Sequence, residues 1–373
     1  MVEDVKSVVS HFQIYGEFVS SEPYGSGHIN DTYMVSYYQG GNIVRYILQR
    51  INHNIFTKPA ELMDNVVRVT KHVRGKLIEA EQSEVSRRVL TVLKTYEGNN
   101  YYENEDGFWR VYLFIEKART YDVLESVEQA YEAAKMFGYF QSQLVDLPGE
   151  RLYDTIPDFH NGQKRYKAFL DALEADACNR AKDTKPEIDW LTDHAWIFDV
   201  LPDLIEKGEI PVRITHNDTK INNVMLDDET GEGMCVIDLD TVMPGLSLYD
   251  FGDIVRTTTS PADEDEQDLS KVNFELPRFD AILKGFLSTA GEFLNKAERQ
   301  NLLLGGKLIT LIIGTRFLTD HLAGDKYFKI HRENHNLDRC RTQFKLVQSI
   351  TDQEDEVNKL LSKLMLRPIN FKE

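Results

Sequence analysis

Tyr33, Val35 and Tyr37 alternate with Met34 and Ser36, the period of a strand with one buried face. A turn at Gln39-Gly40-Gly41-Asn42 leads to a second strand, Ile43 to Arg50. Ahead of them, residues 5–19 predict a short helix and a turn. Leu62, Val66, Val69 and Val73 recur at spacings of three and four, which predicts a helix over 58–75. Val89 to Leu93 and Phe108 to Ile115, separated by a polar turn from Glu97 to Asp106, predict two more strands. Residues 1–116 are thus expected to form a small sheet-rich lobe with one helix, and 117–373 a larger, mainly helical lobe. In the second part, Ala130, Ala134, Phe137, Phe140 and Leu144 mark an amphipathic helix closed by Leu147-Pro148-Gly149. Helical spacing returns over 163–182 and 186–208, and again from Leu248 to the C-terminus.

One hairpin interrupts the helices, and it carries the chemistry. Thr215 to Asn223 contains His216-x-Asp218 and places Asn223 five residues after Asp218. The apolar run Met234-Cys235-Val236-Ile237 then delivers Asp238. Phosphoryl transfer needs a carboxylate to take the acceptor's hydroxyl proton, here Asp218. It also needs hard oxygen ligands for magnesium on the nucleotide phosphates, here Asn223 and Asp238. His216 is expected to brace the loop, since Asp218 already fills the role of base. The alternative is a plain polar hairpin with Asp227-Asp228-Glu229-Thr230-Gly231 as its turn.

Upstream, Tyr24-Gly25-Ser26-Gly27-His28 lies just before the first paired strands. Missing side chains let backbone N–H groups approach phosphate oxygens, so Gly25, Ser26, Gly27 and His28 are candidates for ATP contacts. The run Phe114 to Ala118 passes from the first lobe to the second, and backbone groups at Glu116 and Ala118 are candidates for the adenine. Asp250-Phe251-Gly252 spells a metal-binding triplet but lies thirty-two residues past Asp218. Asp238 is better placed as the metal ligand, and Asp250 is expected to cap a helix and brace the catalytic loop.

A net charge of −18 argues against nucleic acid or an anionic membrane surface as partner. Cys178, Cys235 and Cys340 are far apart, which suggests neither a disulfide framework nor a zinc site and fits a cytoplasmic protein. The most apolar stretch, Leu308 to Ile313, is too short to span a bilayer and is closed by Gly314.

With these residues in view, the chain resembles the aminoglycoside phosphotransferase and choline kinase superfamily, and within it the N-acetylhexosamine 1-kinases. The likeness lies in Glu22 to Asn30, Tyr46 to Gln49, Thr215 to Asn223, Ile237 to Gly245, Asp250 to Asp253, Glu264 to Glu266 and Arg316 to Leu318. It also lies in the segment through Tyr327, Asn336 and Arg341. It implies an α+β, bilobal protein-kinase-like fold and ATP- and Mg2+-dependent phosphorylation of the anomeric hydroxyl of a small-molecule sugar, N-acetylglucosamine or N-acetylgalactosamine. Arg316, Tyr327 and Asp240 are then the residues expected at the sugar beside Asp218. Another small acceptor (homoserine, choline, methylthioribose, an aminoglycoside) would keep the same catalytic residues, and a nucleotide-binding pseudokinase is a further alternative. One departure from the kinase pattern stands out. The lysine of the upper strand is replaced by Gln49, with Arg50 on the opposite face, so no lysine–glutamate pair is assigned, to Glu61 or to any other acidic residue.

Overall fold

The computed structural model describes residues 5–25, 27 and 29–365. The chain begins with α1 (Val5–Val9), β1 (Glu17–Pro23), β2 (Asp31–Gln39), β3 (Asn42–Ile51), α2 (Pro59–Glu79) and α3 (Val85–Arg88). Next come β4 (Val92–Leu93), β5 (Tyr102–Asn104), β6 (Gly107–Leu113), β7 (Ala118–Arg119) and α4 (Val127–Leu144). Then follow α5 (Gly162–Ala175), α6 (Lys185–His194), α7 (Ile197–Glu206), β8 (Arg213–Thr215), β9 (Val224–Asp227), β10 (Gly233–Val236) and β11 (Met243–Gly245). The remainder is α8 (Ser247–Thr258), α9 (Leu276–Ala290), α10 (Lys296–Gln300), α11 (Leu302–Ala323), α12 (His335–Asp352) and α13 (Glu354–Met365).

The described chain divides into two compact units. The first holds the residues up to Thr120, Gln143–Pro157 and Val224–Pro244; the second holds Tyr121–Ser142, Asp158–Asn223 and the residues from Gly245. A single cut at 116/117 therefore falls just short of Thr120, and two later segments return to the first unit. The reason is hydrogen bonding that local sequence patterns do not carry. β7 pairs with β9, Ala118 opposite Asp227, in a sheet of order β10-β9-β7. The segment around Tyr153 is held by Asn65 of α2, whose Oδ1 accepts from the Tyr153 N–H at 3.0 Å.

The main sheet of the first unit runs β1-β2-β3-β6-β4, with β5 on β6, all antiparallel. Period-two burial puts Val35, Tyr37, Tyr46, Leu48, Trp109 and Val111 in one core with Val5, Val8, Val9 and Phe12. Each such aliphatic side chain contributes about 1.5–3 kcal/mol of burial free energy. The strand expected at Val89 to Leu93 is reduced to Val92–Leu93. The helix expected over 58–75 runs on to Glu79.

In the second unit the spans expected at 163–182 and 186–208 shorten or divide. α5 stops at Ala175 because Asp176 turns left-handed, and its carboxylate accepts the Arg180 and Ala181 N–H groups. α6 and α7 are separate helices. α11 is apolar on all sides and passes through Gly314, so that glycine does not close it. A Cβ there would come within 2.8 Å of the Phe344 ring. By length and composition α11 could cross a membrane, with a mean hydropathy of 1.5, yet 78% of its most apolar window is buried within the fold. It is the core helix of this unit. α8 crosses it by backbone contact: a Cβ on Gly252 would lie 2.3 Å from the Gly305 carbonyl oxygen. The three cysteines are free thiols, Cys235 and Cys340 buried and Cys178 exposed.

Candidate active site

The loop from Thr215 to Asn223 belongs to the second unit, and two carboxylates of one helix hold its backbone. Asp250, in the first turn of α8, accepts the N–H groups of His216 at 2.9 Å and Asn217 at 2.7 Å, and the Gln141 amide at 2.6 Å. Asp253, one turn on, accepts the Thr219 N–H at 2.9 Å. Asp250 braces the loop as expected but does not cap the helix, whose N-cap position is Leu246. Asn217 is left-handed (φ 65°), so the loop turns sharply just before Asp218. The buried His216 ring sits edge-on to Phe137 and Phe140, and its Nδ1 accepts the Asp218 N–H at 3.3 Å.

Asp218 itself remains partly accessible. The Lys220 ammonium lies 3.1 Å from its Oδ1, and the Asn223 amide donates to its Oδ2 at 3.0 Å. Burial pushes the Asp218 carboxyl up, but the positive charges of Lys220 and Arg256 and the His216 ring outweigh it and hold it below its ordinary value. The group is ionised at neutral pH, the state a proton acceptor needs.

Arg316 and Tyr327 do meet. The guanidinium lies over the rings of Phe159, Tyr327 and Phe328, at 5.3 to 5.9 Å, with the Tyr327 hydroxyl 3.4 Å away. Burial and the like charge of Arg165 hold Arg316 below its ordinary pKa. Among the described residues no carboxylate forms an ion pair with it. A cavity of about 200 Å³ beside it is lined by Arg165, Thr319 and Asp320 among others. His160, next to Phe159, ties this cluster to the catalytic loop through a 2.8 Å hydrogen bond to the Asn217 carbonyl.

In the first unit, Asp238 ends the β10 arm in a left-handed conformation (φ 55°) with its side chain exposed. Asp240, two residues on, is buried and engaged. Arg110 of β6 grips both of its oxygens, at 2.5 and 2.9 Å, and Asn30 donates to Oδ2 at 2.7 Å. Asp240, expected at the sugar, therefore has its oxygens committed within the first unit. Gln49 does not stand free where a lysine is usual. Its Oε1 accepts two bonds from Arg110, at 2.9 and 3.0 Å, and its amide donates to Thr32. Glu61 pairs with Lys58 at the start of α2.

Gly25 takes φ 82°, a backbone shape that favours glycine, and Gly27 is described beside it. Ser26 and His28 lie outside the described residues. Tyr24 packs edge-on to Phe114 at 5.6 Å, bringing this turn to the strand that leads to Glu116. The Glu116 carboxylate pairs with Arg45, and its carbonyl accepts from Arg87 at 3.0 Å. Ala118 is held in the β7–β9 ladder.

Asn223 and Asp238 belong to different units. The Asn223 Nδ2 faces Asp218, which leaves Oδ1 as the amide's remaining acceptor. Asp238 offers an exposed carboxylate. Hard oxygens of this kind suit magnesium, which is bound by one or two protein groups and completed by water and substrate phosphates. Among the described residues no group of three His, Cys, Asp or Glu converges on a metal position.

A sequence profile described as "Phosphotransferase enzyme family" matches residues 20–281, from the start of the main sheet through the catalytic hairpin into α9. The chain belongs to this phosphotransferase family. Solved structures agree in fold. An aminoglycoside phosphotransferase from Alicyclobacillus acidocaldarius is 14% identical, with 95% of this chain and 96% of that one covered and a TM-score of 0.63. A choline kinase from Cryptosporidium parvum Iowa II is 14% identical, with 98% and 97% covered and a TM-score of 0.54. A spectinomycin phosphotransferase in complex with ADP and spectinomycin is 11% identical, with 91% and 94% covered and a TM-score of 0.53. At these identities the likeness is one of fold.

Within this phosphotransferase, sequence reasoning passed over Asp253, Arg110 and His160. Asp253 has a readable signal, three residues after Asp250 on one helix face. Arg110 has none, because it looks like any strand arginine until its partners are seen. His160 carries a testable pH dependence. Its Nε2 must carry the proton that bonds the Asn217 carbonyl, and its buried Nδ1 has no partner. Burial pushes its pKa from 6.5 to about 4. A second proton on the folded ring is therefore disfavoured. The stabilisation is complete above pH 6.5 and is lost as pH falls toward 4, about 3 kcal/mol in all. His160→Gln keeps a donor without the titration. Its melting temperature should fall less than the wild type's between pH 7 and pH 5; equal falls would remove His160 from the account.

Proposed function

We propose that the protein uses ATP to phosphorylate the anomeric hydroxyl of a 2-acetamido sugar, N-acetylglucosamine or N-acetylgalactosamine, giving the sugar 1-phosphate. Asp218 takes the hydroxyl proton as the anomeric oxygen bonds to the γ-phosphorus. The bond to the β–γ bridging oxygen breaks, and its electron pair leaves with ADP. Asn223 and Asp238 would hold magnesium, which would supply charge neutralisation at the phosphates. The glycine-rich turn around Gly25 and Gly27 covers the nucleotide, and backbone groups of Glu116 and Ala118 face the adenine.

The observation that carries the choice of acceptor is the Arg316 cluster. A guanidinium without a carboxylate partner, over three aromatic rings and beside a second arginine, offers directional donors and apolar faces. Such a surface suits a neutral sugar, and the charges of Arg316 and Arg165 oppose the cations of choline or an aminoglycoside. Arg316→Ala should raise KM for the sugar by about tenfold or more, the usual worth of a hydrogen bond from a charged donor, and leave KM for ATP nearly unchanged. Equal effects on both, or phosphate at the 6-hydroxyl by NMR, would overturn the acceptor assignment.

A second reading, an amine-bearing acceptor, draws on another cavity of about 200 Å³, lined by Lys220, Asn222, Arg256, Asp263 and Glu264 among others. There the Asn222 and Gln343 amide oxygens have no hydrogen-bond partner. An acceptor screen pairing hexosamines with choline and aminoglycosides separates the two.

A further inference from the structure

We propose that Arg110 is a positioning residue for the metal-binding carboxylate: with Gln49, Asn30 and Asp240 it clamps the turn that carries Asp238. This rests on the phosphotransfer reading above, in which Asp238 holds the metal.

In kinases the strand position equivalent to Gln49 carries a lysine that pairs with phosphate and with a helix glutamate. Here the cation is displaced by one strand. Arg110 sits directly opposite Gln49 in the β3–β6 register. It is 1% exposed, so it cannot reach out to a nucleotide. Its directed bonds run inward, two to the Gln49 oxygen, one to each oxygen of Asp240 and a longer one to the Met63 sulfur. Thr32 holds the Gln49 amide from the other side at 3.0 Å.

A buried ion pair is a poor device for stability, because the cost of desolvating both charges is comparable to their attraction. Two apolar side chains would fill the same space. What the pair supplies is direction. Asp240 lies in the short 3-10 turn Leu239–Thr241 that begins immediately after Asp238. Its two oxygens are fixed by three donors, which sets the orientation of that turn. Asn65 of α2 fixes the far end, donating to the Val242 carbonyl at 3.0 Å. Asp238 is thus an exposed carboxylate on a left-handed residue, held from a buried and fully bonded base. A ligand supported in this way enters the metal site without having to be ordered first.

The third donor adds a second consequence. Asn30 closes the glycine-rich segment, and its two polar groups face opposite ways. Nδ2 bonds Asp240, while Oδ1 accepts the Asn52 N–H at 2.9 Å. The Asn52 side chain in turn bonds the Ile29 carbonyl at 3.1 Å. The end of the nucleotide-covering turn and the metal-bearing turn therefore share one carboxylate. Any movement of one is felt by the other through Asp240.

Removing only one member of the pair risks unfolding, so the test replaces both charges by apolar side chains, Arg110→Met with Asp240→Leu, in the full chain. Binding of Mn2+ is measured by electron paramagnetic resonance in the presence of ADP, with melting temperature alongside. The folded double variant should bind Mn2+ about tenfold or more weakly, the range seen when groups that orient a metal ligand are lost. Its apparent Mg2+ requirement for turnover should rise in parallel, with KM for the acceptor little changed. If the double variant does not fold, Asn30→Ala replaces it, with a several-fold loss of Mn2+ affinity expected. Mn2+ affinity within twofold of wild type in the variant that decides would overturn the proposal and leave the pair a packing device. A wild-type protein that binds no Mn2+ with ADP would overturn the phosphotransfer reading instead.

Discussion

Asp218→Asn should lower kcat by about 10²–10⁴-fold, the usual worth of a positioned general base, while the protein still binds ATP. The amide is nearly isosteric and can accept from Lys220 with its oxygen. What it lacks is the capacity to take a proton. The carboxylate is well suited to that role in the wild type. Lys220 lies 3.1 Å from one oxygen and the Asn223 amide 3.0 Å from the other, so the side chain is aimed. The charges around it hold it ionised at neutral pH against the opposing effect of burial. Turnover with saturating ATP and acceptor, together with calorimetric ATP affinity, checks the prediction. A variant with wild-type kcat would show that Asp218 is not the base.

Asp238→Ala and Asp250→Ala should both remove most activity, for different reasons and with opposite stability signatures. Asp238 is exposed, unlike the buried Asp240 two residues on. Its loss should leave the melting temperature close to wild type while Mg2+-dependent turnover falls by orders of magnitude, since an amide at Asn223 cannot replace a carboxylate's charge. Asp250 is fully buried, pushed up in pKa by that burial and opposed by His216 and the N–H groups it accepts. Taking it away strands the buried N–H groups of His216 and Asn217 and the Gln141 amide. Each unpaired buried donor costs about 1–3 kcal/mol, so Asp250→Ala should unfold well below the wild type and express poorly. Circular dichroism melts and Mg2+ titrations of both variants settle it. An Asp250→Ala protein of normal stability that has lost Mg2+ affinity, beside an Asp238→Ala protein that keeps it, would exchange the two roles.

The bonds from Asp250 to the loop backbone show where local pattern is sufficient. The order of Asp218, Asn223 and Asp238 along the chain is legible because a turn flanked by apolar strand residues marks them out. The fold class is legible for the same kind of reason. Period-two burial builds the sheet of the first unit, and spacings of three and four build the helices of the second. Asp250 was separable from Asp238 by spacing alone, and its bonds to the loop backbone agree.

Other features have no local signal. Leu308 to Ile313 suggests a short apolar run, but the helix extends over twenty-two residues because neighbouring helices bury its flanks as well. Asp240 reads as an available carboxylate and Gln49 as a gap in the kinase pattern. Both readings change once β6 lies beside β3 and brings Arg110 to them. Chain order and hydrophobic period depend on near neighbours in sequence, so the sequence by itself determined most of the elements, the family and the order of the candidate groups. Partners of buried charges are chosen by strand register and helix packing across long stretches of chain, 130 residues for Arg110 and Asp240. Only the tertiary structure could decide which polar residues are committed to one another and which are left to meet a substrate, because burying a charge is tolerable only where folding supplies its partner.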